Sequence, residues 1–142
     1  MADADRVIAR CEAEWDLHKS DCSGFVKAVA QRLEIKLTGL ADDIVAQIST
    51  SPWSHIQDGI AACKAAEGGK LVVAGLKGAD QSKPSSHGHV AVVVRGKPLA
   101  HDRYPFAYWG RLDGVGKKNE TLNWAWNEAD RDRIVYGSIP LP

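Results

Sequence analysis

Residues 90–94, Val-Ala-Val-Val-Val, limit the possible folds more than any other stretch of the chain. A strand alternates its side chains between two faces, and here both faces are apolar. Such a strand must lie inside a sheet with packed material above and below it. The neighbouring run Leu71-Val72-Val73-Ala74-Gly75-Leu76 predicts a second strand, and the polar stretch from Lys77 to Ser86 reads as the loop between them.

Helical patterns come first in the chain. Val7, Ile8, Cys11 and Trp15 describe a helix from about Asp3 to Lys19. Phe25, Val26, Val29 and Leu33 describe a second, from Cys22 to about Glu34. Ala41, Ile44, Val45 and Ile48 give a third, which Ser51-Pro52 breaks. A fourth is expected from about Ser54 to Glu67, stopping at Gly68-Gly69. Tyr104 to Trp109, Thr121 to Trp126 and Ile134 to Tyr136 suggest further strands. Gly110 to Asn119 reads as a glycine-rich mobile loop, and Asp130 to Arg133 as a solvated charged turn. Helices followed by strands indicate an α+β domain spanning residues 1–142, with an antiparallel sheet covered by the leading helices.

The charge balance narrows the partners. Eighteen basic residues offset eighteen acidic ones, so nucleic acid and anionic membranes are not expected partners. No apolar stretch approaches the roughly 18 residues of a membrane span. Asp3, Asp5, Arg6, Arg10 and Glu12 interrupt the N-terminal region, so no signal peptide is expected and synthesis is expected in the cytoplasm.

Of the three cysteines, Cys11 and Cys63 fall on apolar helical stripes and read as buried small hydrophobes. Cys22 instead opens a helix in Asp21-Cys22-Ser23-Gly24-Phe25, with Asp21 as the natural N-cap. The free N–H groups and macrodipole of a helix start favour an anion, so the Cys22 thiol is expected to ionise below its usual range. Gly88-His89-Val90 places a histidine where the valine strand begins. His89, Ala91 and Val93 should share one face of that strand. Cysteine at a helix start and histidine on a strand is the arrangement of papain-like thiol hydrolases, with Cys22 as nucleophile and His89 as general base.

The third group, which would fix the imidazole tautomer, is assigned to His101, with Asp102 or a backbone carbonyl as alternatives. Backbone N–H groups near Cys22 would hold the oxyanion. His87 and His89 lack a nearby acid, so no metal and no cofactor are expected. Trp53, Trp109, Trp124, Trp126, Tyr104 and Tyr108 could line a substrate groove or serve as core.

Asp21-Cys22-Ser23-Gly24-Phe25, together with Gly88-His89-Val90-Ala91-Val92-Val93, resembles the NlpC-type peptidoglycan peptidases. The likeness narrows to the small amidase effectors injected by type VI secretion. It is carried further by the helix ending in Trp15, by Val73-Ala74-Gly75-Leu76-Lys77-Gly78, by Tyr104-Pro105 and by Asp130-Arg131-Asp132-Arg133. Two features depart from that pattern. The segment between Trp15 and Asp21 is shorter, and Ala107 and Trp109 stand where some members carry cysteines.

The resemblance implies a papain-like fold and an antibacterial amidase that cuts the peptide stem, most simply between D-glutamate and meso-diaminopimelate. It also implies delivery by the type VI machinery to the periplasm of a rival, and a cognate immunity protein that blocks the site. Competing readings are a cut at the diaminopimelate–D-alanine crosslink, a self or phage wall hydrolase, and a catalytically dead wall-binding module.

Overall fold

The computed structural model describes residues 2–142 of the chain. Its order is α1 (Asp3–His18), α2 (Cys22–Arg32), α3 (Ala41–Ile48), β1 (Ser54–Ile56), α4 (Gly59–Glu67), β2 (Leu71–Leu76), β3 (His89–Val93), β4 (Phe106–Trp109), β5 (Lys117–Thr121) and β6 (Val135–Ile139). The strands form one six-stranded sheet in the order β1-β6-β2-β3-β4-β5, and every pairing is antiparallel. This is the expected α+β architecture of a papain-like amidase, with helices packed on an antiparallel sheet.

The valine strand is central, as its two apolar faces require. Val90, Val92 and Val94 point, with Leu71 and Val73, into a core shared with Phe25, Val26 and Val29 of α2 and Ile44 and Ile48 of α3. Burying each valine contributes roughly 1.5–3 kcal/mol. Ala91 and Val93 face the opposite way, into a second core with Ala62 and Ala66 of α4, Trp109, Leu122 and Trp126. The leading helices therefore cover one face only. The other is covered by α4 and by the segment that follows β5.

Four expectations need correction. Residues 54–56 are not the start of a helix but the edge strand β1, whose His55 pairs with Gly137. The helix begins after Asp58, whose carboxylate accepts from the Ala61 N–H at 2.9 Å. The supposed loop 110–119 ends in β5, an edge strand that is exposed until Thr121 and pairs with β4. Its lysines suit an edge, where charge discourages further pairing. Residues 122–124 form a single 3₁₀ turn instead of a strand, which sends Trp124 outward and Trp126 inward. Asp130 is not solvated: it is 4 % exposed, and its carboxylate accepts from the Ser82 N–H at 2.7 Å.

Candidate active site

Cys22 owes its position to its neighbours. Asp21 is extended (φ −146°, ψ 95°), and its carboxylate accepts from the Gly24 N–H at 3.0 Å, closing the first turn of α2. A side chain at position 24 would place its Cβ 2.1 Å from Asp21 Oδ2, so only glycine lets this cap pack. Asp21 is thus the cap that the sequence predicts. The N–H groups of Cys22 and Ser23 open the helix, where no carbonyl precedes them to accept.

Cys22 is 7 % exposed. Burial pushes its pKa up, and the Asp21 carboxylate adds to that rise. The backbone N–H groups of Val90, Ser23 and Cys22 pull the other way without reversing it. The expected lowering is therefore overturned. The helix-start amides are in place, but desolvation of the anion outweighs them.

His89 opens β3, opposite Leu76 of β2. Its ring meets that of Trp126 edge-on, with centroids 4.8 Å apart and planes at 63°. Burial, aided by the positive charge of Arg111, brings the imidazole pKa down to about 4. Burial therefore favours the uncharged form of each group, the thiol and the imidazole.

Both residues line one cleft of about 560 Å³, together with His87, Arg111, Trp124 and Trp126. A recess of about 280 Å³ continues it past Cys22 and Leu112 toward Leu40, Asp42 and Asp43. The walls are tied down from several directions. The N–H groups of Arg111 and Gly116 both donate to the Lys19 carbonyl, at 3.0 and 2.8 Å, and Ser20 Oγ donates to the Gly114 carbonyl at 2.6 Å. Gly110 makes this possible, since a Cβ there would lie 2.1 Å from the His18 carbonyl oxygen. Trp15 Nε1 donates to the Trp109 carbonyl at 3.0 Å, joining α1 to β4. The loop before His89 is held by Asp42, which accepts from the Gly78 N–H at 3.0 Å, and by Asp130.

His101 is not brought to this site. It lies in an exposed turn at φ 52°, with its ring 5.9 Å from that of Tyr104, and Asp102 beside it has φ 59°. The direction of β3 is the reason. The strand leaves the cleft at His89, and the turn carrying His101 follows its far end. Neither residue lines the cleft, and the ring that His89 packs against is that of Trp126.

Of the six aromatic candidates only Trp124 and Trp126 line the cleft. Trp53, Tyr104, Tyr108 and Trp109 are buried elsewhere. Trp124 is 63 % exposed, and Lys117 Nζ stands 5.9 Å from its ring centroid. Cys11 and Cys63 are buried and free, away from the cleft, as expected. Arg111 and Asp130 were not expected in the site. Arg111 sits in a glycine-rich stretch, and Asp130 in a run of charges.

No protein-family model matches the sequence. A comparison with curated proteins finds similarity to peptidoglycan amidase Tse1 of Pseudomonas aeruginosa, with 36 % identity over 141 residues, covering 92 % of this chain and 86 % of that protein.

Proposed function

The chain belongs to the family of peptidoglycan amidase Tse1, and from that premise we propose that it hydrolyses an amide of the peptidoglycan peptide stem with Cys22 as nucleophile and His89 as general base. One observation carries the residue assignment: a cysteine at a helix start and a histidine at a strand start open onto the same cleft. Two un-ionised partners suit a sequence in which the proton moves as the bond forms. Cys22 Sγ attacks the carbonyl carbon while its proton passes to His89. The N–H groups of Cys22 and Ser23 receive the oxyanion. His89 then protonates the amine, the C–N bond breaks, and a thioester remains on Cys22. A water that gives its proton to His89 hydrolyses the thioester and restores the thiol.

The bond assigned is the one between D-glutamate and meso-diaminopimelate, with the diaminopimelate–D-alanine crosslink as the alternative. Delivery by type VI secretion, action in the periplasm of a rival cell and inhibition by an immunity protein in the cleft complete the proposal. They are supported by the motifs shared with the type VI amidase effectors. Purified sacculi digested with the wild type and with Cys22→Ala, followed by mass spectrometry of the fragments, test the chemistry. Wild type should release stem peptides cut at one amide, and the variant should release none. Equal release by Cys22→Ala overturns the mechanism, and a different cut overturns the bond assignment.

A further inference from the structure

Arg111 is held on the cleft wall by its own backbone and faces the space beside His89. Its N–H donates to the Lys19 carbonyl at 3.0 Å, and its carbonyl accepts from the Gly114 N–H at 3.3 Å, so the residue is not a loose surface arginine. Of the seven other arginines, those at positions 6, 32, 95, 103 and 133 each pair with a carboxylate, and Arg10 and Arg131, which pair with none among the described residues, lie outside the cleft. Among the described residues, Arg111 makes no ion pair and its guanidinium donates no hydrogen bond, although it lines the site where the chemistry would occur.

The charged neighbours do not neutralise it. Asp130 accepts from the Ser82 N–H and lies 3.8 Å from Arg133. Asp113 lines the same cleft without coming within ion-pair distance of Arg111, and Cys22, His87 and His89 complete the titratable groups there. The carboxylates of the adjoining recess belong to Asp21, Asp42 and Asp43, which accept from the N–H groups of Gly24, Gly78 and Leu40. A guanidinium presented in this way is a fork of donors matched to a carboxylate.

We propose that Arg111 is a specificity-determining residue that binds a free carboxylate of the stem peptide close to the scissile amide. The inference rests on the amidase reading. Either candidate bond supplies such a group. D-Glutamate joined through its γ-carboxyl keeps its α-carboxylate. Diaminopimelate crosslinked through one amine keeps the carboxylate on the same carbon. Binding the carboxylate also has a consequence for the base. It offsets the positive charge that disfavours protonated His89, so the imidazole becomes a better proton acceptor when the correct substrate is in place.

The experiment uses synthetic crosslinked stem-peptide dimers, which hold both candidate bonds, in three forms: both carboxylates free, the D-glutamate α-carboxylate converted to carboxamide, and the diaminopimelate carboxylate beside the crosslinked amine converted to carboxamide. Wild type should prefer the free acid over one of the two amides by about tenfold or more in kcat/KM, the scale of a charge-assisted hydrogen-bonded pair. The amide that is discriminated against identifies the carboxylate. Arg111→Gln should bring that ratio to within about twofold, and Arg111→Lys should keep an intermediate preference. A general structural defect would slow all three peptides together and leave the ratio intact. Should Arg111→Gln not fold, the reduced ratio of Arg111→Lys decides. Wild-type indifference to both amides, or an undiminished ratio in the folded variant, overturns the inference while leaving the amidase reading in place. Cleavage of no peptide by wild type overturns both.

Discussion

The two ends of β3 carry the same polar residue type in opposite circumstances. At one end His89 is lodged against Trp126, near Arg111 and on the cleft of Cys22. Past the other end His101 stands in an exposed turn beside Tyr104. Four residue steps of strand separate the ends by about 13 Å. The chain turns back toward the cleft only after the Ala100–Tyr104 bridge, so His101 stays beyond the far end of β3, away from the imidazole it was expected to orient. A histidine's use is set by which end of a strand it occupies, because one end of this sheet meets the helix start of α2 and the other meets solvent. The lesson extends to the third member of the site. Where a polar orienter was sought, the fold supplies an aromatic wall, against which the ring packs without added charge.

The largest expected effect breaks this comparison most directly. His89→Ala should lower amidase turnover by about 10²–10⁴-fold, the usual worth of a positioned acid–base group. His101→Ala should stay within about threefold of wild type, because it touches nothing in the cleft. Kinetics on the free-acid stem peptide check both. A severe loss in the His101 variant, with its melting temperature unchanged, would return that residue to the mechanism.

A second difference between the ends is energetic. His89 keeps its proton off until about pH 4 in the folded chain, against an ordinary value of 6.5. Between those values the unfolded state binds more protons, so stability should rise with pH from about 4 to 6.5 and lose its dependence on this group outside that window. The span is worth up to roughly 3 kcal/mol. Urea titrations of wild type and His89→Ala from pH 4 to 7 should differ in total stability change by up to that amount, with the variant flatter. By the same reasoning the acid limb of kcat/KM should fall near pH 4. A limb near 6.5 would indicate that His89 is far less shielded than its packing implies.

What the sequence made legible follows the same division. The bounds of α1, α2 and α3, the strands β2 and β3, and the cap at Asp21 rest on periodicity and on contacts within a few residues. The cleft wall beyond β4 rests on contacts that no local pattern encodes. β5 is polar because it is an exposed edge, and β4 alone makes it a strand. β1 exists because β6 inserts between it and β2, although β6 lies at the other end of the chain. Trp124 and Trp126 part company because a 3₁₀ turn replaces the strand in which they would have shared a face. Cys22 and His89 could be placed as motif residues, but their protonation could not. Their pKa directions depend on burial, which the folded chain alone determines.

The smallest expected effect isolates one of those burial balances. Asp21 both closes the first turn of α2 and raises the pKa of the Cys22 thiol through its charge. Asparagine caps a helix about as well as aspartate, so Asp21→Asn should change stability by less than about 0.5 kcal/mol, whereas Asp21→Ala should cost about 1 kcal/mol. Removing the charge favours the thiolate, so iodoacetamide should modify Cys22 roughly two- to fivefold faster in the asparagine variant near pH 7.5. In wild type the rate at Cys22 should keep climbing above pH 8.5, because burial has raised the thiol. Peptide mapping should find Cys22 modified ahead of Cys11 and Cys63, which are buried away from the cleft. An asparagine variant that alkylates no faster, at unchanged stability, would mean that Asp21 acts on α2 alone and that the helix-start amides already screen its charge from the sulfur. A wild-type rate that levels off below pH 7 would restore the ionised thiolate that the helix start first suggested.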